Sequence, residues 1–580
     1  MITFLIILAA VVAILIVLFV SWFFTMKANG KCPLCAIKRY TIPRKITMDI
    51  SEEEDYNNGV ALTPPMGWSS WNTFRNHIDQ DLIYETAKAM VNSGLADAGY
   101  KYINLDDCWQ SSMRDADGKL QGDLKNFSRG IPSLIKDIND LGLKVGLYTS
   151  NGTLTCEDLP ASLGNEELDA KTLASWGCEF FKYDYCHSKP ISGNCPAIEK
   201  IELNNLQGDD FNSQLVLKPD DAEFTGRARV LKFNDIPSGK AIGFLNHGAG
   251  SASFEVNSLP QGDYAMTLVY RKSFSRYENY VQVTVNGEMH EVFFPTGNGF
   301  SDNGRVQLIV HLINGTNKIT LQNPVATLAD SSYIQYKRMG NELKKATKLW
   351  SEYTGTPEKP IVFSICEWGT AAPWDWGAKA GNMWRTTHDI TANWFSIMAL
   401  YKYTIRFYES SRPGGWNDPD MLEVGNGKLT EDENRAHFSL WCMMAAPLML
   451  GNDIRKFVDG KNMAVEGNSA LKIVTNKHLI AIDQDTLGKS AKIIKKFPGI
   501  DVLARPLANG DVALCFLNKS RSAKNVKFDL NTLADDSYLQ FRKSGSYEIH
   551  NLWSDERGNA SAINASLPNH SVKVYRIKAV

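Results

Sequence analysis

Ile2 to Met26 holds no charged residue, and no basic residue precedes that run. About 20 apolar residues span a bilayer, so 2–26 is expected to be an uncleaved transmembrane anchor. A cleaved signal peptide would need a basic n-region, a shorter apolar run and a small-x-small site, and the sequence offers none of these. Charge of one sign is also missing. The formal net charge of −2 over 580 residues excludes a global field for nucleic acid. Paired metal-spaced cysteines are absent too. Cys32 and Cys35 form one C-x-x-C with no second pair to complete a zinc site, and no metal or cofactor is expected. The other cysteines are scattered and do not by themselves settle the redox compartment. Between about 190 and 332 a convincing amphipathic helix is missing.

The chain is too long for one core, so two to four domains are expected. A composition of 44% hydrophobic and 22% charged residues is ordinary for a globular protein, and 14 Trp and 21 Tyr are many. After the anchor, 27–60 reads as a juxtamembrane linker, basic at first (Lys27, Lys31, Lys38, Arg39, Arg44, Lys45) and then acidic (Glu52, Glu53, Glu54, Asp55). From Thr63 strands and helices alternate. Ile83, Ala87, Met90 and Gly94 share a helical face. Tyr100–Asp107, Lys144–Ser150 and the run Phe180-Phe181-Lys182-Tyr183-Asp184 read as strands, with helices around Ile131–Leu141 and Leu168–Trp176 between them. This βαβα periodicity predicts a parallel sheet.

In 190–332 short alternating strands take over, with Asn286-Gly287 as a hairpin signal. An inserted β-sandwich of jelly-roll type is expected there. Helical period returns at Tyr336, Met339, Leu343, Ala346 and Trp350. Further strands follow at Pro360–Glu367, Trp384–Ile390, around Gly414–Met421 and at Ala446–Asp453. Eight strand ends predict a (β/α)8 barrel, an α/β fold divided into 61–189 and 333–489 by the insertion. Alternation over 490–580 predicts a C-terminal antiparallel β-sandwich.

Nearly every barrel strand ends in a polar or aromatic residue, and on such a barrel these ends converge on one mouth. Carboxylates, one or two cations and aromatic walls suit glycoside hydrolysis: one carboxylate attacks the anomeric carbon and another protonates the leaving oxygen. Pro65-Met66-Gly67-Trp68 with Trp71-Asn72, Asp106-Asp107-Cys108-Trp109, Lys182-x-Asp184-x-Cys186, Cys366-Glu367-Trp368, Trp384-Arg385-x-x-x-Asp389 and Gly414-Gly415-Trp416-Asn417-Asp418-Pro419-Asp420-Met421 occur in this order. Over about 61–187 and 333–580 the chain resembles glycoside hydrolase family 27, the α-galactosidase family. The resemblance implies a retaining exo-α-galactosidase acting on galactose-containing glycans, with Asp184 as nucleophile and Asp389 as acid/base. It also implies that Asp106 and Asp107 bind the C6 and C4 hydroxyls, and that Lys182 and Arg385 bind ring hydroxyls. Trp71 and Trp368 would wall the pocket, with Tyr148, Cys186, Asp420 and Met421 nearby. A Cys156–Cys186 disulfide beside the sugar is implied as well.

Glu367 stands where relatives that cleave α-N-acetylgalactosaminides carry a small residue, and Asp106 is a residue that β-L-arabinopyranoside-cleaving relatives tend to replace. Both favour galactose. Lys182 is expected to help keep Asp184 ionised, and Asp389 to have a raised pKa. The family often pairs Cys108 with a cysteine shortly after Trp71, but Thr73-Phe74-Arg75-Asn76-His77 has none. The insertion resembles a galactose-binding-like jelly roll and leaves the barrel beside the proposed nucleophile, so it reads either as a glycan-binding platform or as a lid or spacer. The alternatives are an exo-glycosidase on α-N-acetylgalactosaminides or β-L-arabinopyranosides and, from another class, a membrane-tethered non-catalytic glycan-binding protein. The bilayer is an expected partner through 2–26. The basic residues after that run favour a cytoplasmic bulk, whereas glycan chemistry and the disulfide favour an extracytoplasmic or luminal catalytic domain.

Overall fold

The structure, a computed structural model, describes residues 45–207, 215–234, 238–257, 259–271, 279–294 and 303–580, together with Ile14, residues 16–21 and Phe24. The expected anchor over 2–26 falls largely outside these residues, and Lys27, Lys31, Lys38, Arg39, Arg44 and the Cys32/Cys35 pair fall outside them altogether. Among the described residues no helix is long and apolar enough to cross a membrane. The chain divides into Met1–Lys45 and Ile46–Val580, and the second unit carries the features below.

Eight short strands form one sheet: β1 Met66–Ser69, β2 Tyr102–Asn104, β3 Lys144–Ser150, β4 Phe180–Asp184, β5 Val362–Cys366, β6 Met383–Arg385, β7 Trp416–Asp418 and β8 Leu448–Leu450. The order is β7-β6-β5-β4-β3-β2-β1-β8, with every pairing parallel. The two edges meet just past β7, where Leu422 bridges Leu450 in parallel. The strands are almost wholly buried, as a sheet covered by helices requires. The helices bury one stripe. In Ile131–Asp140 the stripe is Ile131, Leu134, Ile135 and Ile138, the i, i+3, i+4, i+7 spacing of a 3.6-residue turn.

Two local expectations shift. Gln80–Asn92 buries Ile83, Ala87 and Met90, but Gly94 lies past the helix end at φ +81° and opens the next helix. The expected strand Trp384–Ile390 is only Met383–Arg385, because the chain turns immediately after Arg385. Residues 46–60, expected as a linker, lie along the barrel. Tyr56 is buried and donates to the Gly340 carbonyl, and Asp55 pairs with Lys379 and Arg412.

Between β4 and β5 lie two antiparallel sheets, of five and six strands, whose inward residues form one core that includes Leu203, Phe254, Met266, Leu268, Val283 and Leu321. Asn286 and Gly287, both at positive φ, turn the hairpin Asn279–Val285/Glu288–Phe294 as the sequence predicts. This insertion rests on the helix Leu328–Thr354. Ile191, Tyr280 and Val325 pack on Ile334, and Arg338 reaches Glu291 of the insertion at 2.6 Å and Glu166 of a barrel helix at 3.3 Å. The C-terminal part packs a six-stranded sheet on a two-stranded ribbon. It is tied to the barrel by the fully buried Arg505, which donates to the carbonyls of Cys442 and Asp483.

Candidate active site

Asp184 is the last residue of β4. It lies in register with Ser150 on β3 and Cys366 on β5, so three strand ends share one layer. Its carboxylate is 5% exposed and accepts the Tyr185 N–H at 2.7 Å. Lys182 precedes it by two residues, which puts both side chains on one face of the strand. The Lys182 ammonium is 2.9 Å from Asp106 and 3.7 Å from Asp184, and it sits 5.1 Å from the centroid of the Tyr148 ring. Burial pushes the Asp184 carboxyl up, Lys182 and the Tyr185 N–H pull it down, and Asp106 and Asp389 add to the rise; the net direction is upward. Lys182 therefore favours the carboxylate, as expected, but in the free site burial outweighs it. Burial pulls the Lys182 ammonium down, and the neighbouring carboxylates of Asp106 and Asp184 help to more than reverse this.

Asp106 also accepts from the Ser69 hydroxyl at 3.3 Å. Asp107 accepts the N–H groups of Cys108 and Glu157, and burial pushes its carboxyl up to about 6. Glu157 is held in place by its neighbour, because Cys156 and Cys186 form the expected disulfide. The strand-end turn behind the disulfide is tight: a Cβ on Gly152 would lie 2.1 Å from the Cys186 carbonyl oxygen, so only glycine fits. Cys108 is free and half-buried, in keeping with its missing partner.

Across the barrel Arg385, at the end of β6, clamps two carboxylates. Its Nη2 lies 3.0 Å from Asp389 and 3.1 Å from Asp420, and its Nη1 lies 3.7 Å from the Cys366 sulfur. Asp420, held in the left-handed region at φ +85°, also accepts the Ile390 N–H, and burial pushes its carboxyl up to about 7. Asp389 departs from expectation. Burial is the largest single influence on its carboxyl and pushes it up, but the charges of Arg385, Lys182 and His388 and the Arg385 hydrogen bond together outweigh it and hold the carboxyl below the ordinary range, and the side chain is still 62% exposed. In the free site the raised carboxyls are therefore Asp107, Asp184, Asp418 and Asp420.

A pocket at the barrel axis is lined by Asp106, Lys182, Arg385, Asp418, Asp420 and Met421, with Ser69 and Ser364 among the remaining walls. Asp184 and Tyr148 join it through Lys182, and Asp389 through Arg385. Trp71 is partly buried against the cluster that contains Met421, with Arg75 over its ring at 5.2 Å. Trp368 is half-buried and meets the Tyr185 ring edge-on. Glu367 is fully buried and its carboxylate accepts the Ala371 N–H, so one oxygen is committed to its own loop. Sequence reasoning assigns no site role to Ser69 or Ser364, and it names Cys366 only within the strand-end motif Cys366-Glu367-Trp368. The register Cys366↔Asp184 explains the last, since a residue level with the buried carboxylate faces the same layer. The thiol and hydroxyls carry no sequence signal of their own.

A family model described as alpha galactosidase A matches residues 63–202 and 330–485, and one described as alpha galactosidase C-terminal beta sandwich domain matches 498–577. Alpha-galactosidase 2 of Arabidopsis thaliana is 30% identical over 524 residues, which cover 90% of this chain and 91% of that protein. The alpha-galactosidase of Coffea arabica is 30% identical over 534 residues, 91% of this chain and 97% of its own. Among solved structures, alpha-galactosidase I from Mortierella vinacea superposes with a TM-score of 0.61 at 26% identity, covering 90% of this chain and 100% of that one.

Proposed function

The chain belongs to the alpha galactosidase A family, and from that premise we propose that it is a retaining exo-α-galactosidase releasing terminal α-linked galactose from oligosaccharides or glycoconjugates. The observation that carries this reading is the pair of charge clusters facing one pocket: Asp184 beside Lys182 and Asp106, and Asp389 beside Arg385 and Asp420.

In the first step an Asp184 oxygen forms a bond to the anomeric carbon while the glycosidic C–O bond breaks. Asp389 gives its proton to the departing oxygen, so the aglycone leaves as an alcohol and galactose remains as an ester on Asp184. In the second step Asp389 takes a proton from water, the water oxygen bonds to the anomeric carbon, and the ester bond breaks to regenerate both carboxyl groups. Asp389 must start protonated, and a bound galactoside works in that direction. The sugar displaces water from an exposed carboxylate, and desolvation raises its pKa. Asp106 and Asp107 accept from the C6 and C4 hydroxyls, and Lys182 and Arg385 donate to ring hydroxyls, which makes these charge-assisted bonds. Trp71, Trp368, Tyr148, Met421 and the Cys186 disulfide shape the walls. Glu367 and its loop leave room for a 2-hydroxyl and not for an acetamide. Residues 2–26 tether a luminal or extracytoplasmic catalytic domain.

Hydrolysis of nitrophenyl α-galactoside, α-N-acetylgalactosaminide and β-L-arabinopyranoside by the protein and by Asp184→Asn tests the reading. Turnover of the α-galactoside alone, lost in the variant, is expected. Turnover of another glycoside alone overturns the specificity. No turnover of any by folded protein overturns the reaction.

A further inference from the structure

Far along the chain from the catalytic cluster, two imidazoles and a carboxylate converge where the barrel meets the C-terminal sandwich. His478 lies in the helix Lys477–Asp483 that follows the barrel. His550 lies on the sandwich strand Tyr547–Asn551, and Asp555 in the turn after it. The Nε2 atoms of both histidines point at one oxygen, Asp555 Oδ1, at 2.5 Å from His550 and 3.4 Å from His478. The rings stand edge to face, with centroids 4.8 Å apart. The ligand-capable atoms of all three residues lie within 4.8 Å of one another.

We propose that His478, His550 and Asp555 bind a divalent transition-metal ion of the zinc class, which staples the sandwich to the barrel. Donors bonded at roughly 2.0–2.1 Å to a tetrahedral zinc stand about 3.3 Å apart, which the His478–Asp555 separation of 3.4 Å matches and the 2.5 Å between His550 and Asp555 approaches with a small widening. Two imidazole nitrogens and one carboxylate oxygen suit such an ion better than magnesium or calcium, which take oxygen ligands. The fourth position opens to solvent, because the Asp555 side chain is 64% exposed while His550 is 8% and His478 25% exposed. The convergence is fixed by other contacts. Asn476, the cap of the His478 helix, donates to the Leu552 carbonyl at 3.0 Å, and the Asp555 N–H bonds the Asn551 carbonyl at 2.9 Å. Asp555 sits at φ +60°, a strained value for a non-glycine residue. Metal-free, each Nε2 can donate a proton to Asp555; metal-bound, each Nε2 offers its lone pair and the ring proton moves to Nδ1 or to solvent. Lys477 and Arg557 lie nearby and oppose an added cation, so the affinity is set against their charge.

The test uses the full chain freed of metal by a chelator, with Zn²⁺ alone as the probe. Equilibrium dialysis counts bound zinc in the protein, in His478→Gln, in His550→Gln and in Asp555→Asn, and thermal unfolding is followed with and without zinc. The α-galactoside hydrolysis rate reports that each variant is folded. About one zinc per chain is expected, with an unfolding midpoint that rises with zinc. Every variant is expected to bind at least about 100-fold more weakly, because losing a mere outer partner already costs about 10–100-fold, and to lose the rise. Absence of zinc binding by the wild-type chain overturns the proposal, as does an equivalent retained by all three variants.

Discussion

At the barrel mouth six charged side chains, Asp106, Asp107, Asp184, Arg385, Asp418 and Asp420, are each no more than 7% exposed and face one another. The inserted sandwich buries polar groups of another kind. Asn323 donates to the carbonyls of Ser192, Asn194 and Tyr280, and Asn317 donates to those of Ile313 and Gly315. These amides satisfy loop backbone and answer to nothing outside the domain. Removing a charge from water costs several kcal/mol, whereas a bonded amide costs little. A concentration of mutually facing buried charge therefore marks the barrel mouth as the place where the chain keeps unfavourable groups for chemistry; among its described residues the insertion buries fewer charges, Glu199, Glu202 and Arg271, and Glu202 is paired with the more exposed Lys200 and Arg305.

The largest effect expected is at Asp184. Its change to Asn is expected to lower kcat on an α-galactoside by about 10⁴–10⁶-fold, as for other covalent nucleophiles; a loss under tenfold would put the mouth on the same footing as the insertion. Asp389→Asn is expected to cost about 10²–10⁴-fold, the range for proton transfer, and less on a nitrophenyl leaving group than on an alkyl one. A variant equally slow on both would remove Asp389 from proton transfer. Arg338→Ala cuts the link between the two regions and leaves Glu291 and Glu166 facing without their cation. A loss of about 2–4 kcal/mol in docking is expected, discounted from the range for fully buried pairs. Faster hydrogen exchange confined to the insertion checks it, with kcat/KM on small glycosides held within about twofold.

The smallest effect concerns Asp107. Burial raises its folded carboxyl to about 6, so between about pH 4 and 6 the folded state binds this proton and the unfolded state releases it. Stability from this group is thus full on the acid side and falls as pH rises through about 6, by up to about 3 kcal/mol. Thermal unfolding across that window should decline more steeply for the ligand-free wild type than for Asp107→Asn. Parallel curves would show that burial at the mouth exacts no cost there.

Much of the fold was legible. The alternation of apolar strands and amphipathic helices pointed to eight parallel strands, because each element shows its buried face in a period of its own residues. Composition makes residues 46–60 read as a linker, since an acidic stretch looks alike whether its charges meet solvent or, as Asp55 does, Lys379 and Arg412. Strand Ile198–Asn205 was not anticipated. Glu199, Lys200 and Glu202 interrupt its alternation, and the structure shows how Glu202 is satisfied, by Lys200 on its own strand and by Arg305 from elsewhere in the chain. At the site the sequence supplied the residue types and their strand ends, but it gave Asp389 a raised carboxyl where Arg385 and Lys182 make it low.

The order of motifs and the periodicity of buried residues determined from sequence alone that this chain closes a barrel, carries an inserted sandwich and brings carboxylates and cations to one end. Those are consequences of local geometry, which neighbouring residues encode. Only the tertiary structure decided that Lys182 sits closer to Asp106 than to Asp184, that Arg385 is shared by Asp389 and Asp420, and that His478, His550 and Asp555 meet. Coulomb and desolvation energies depend on distance and on the solvent left between groups, and residues far apart in the chain acquire both only when the elements that carry them are packed.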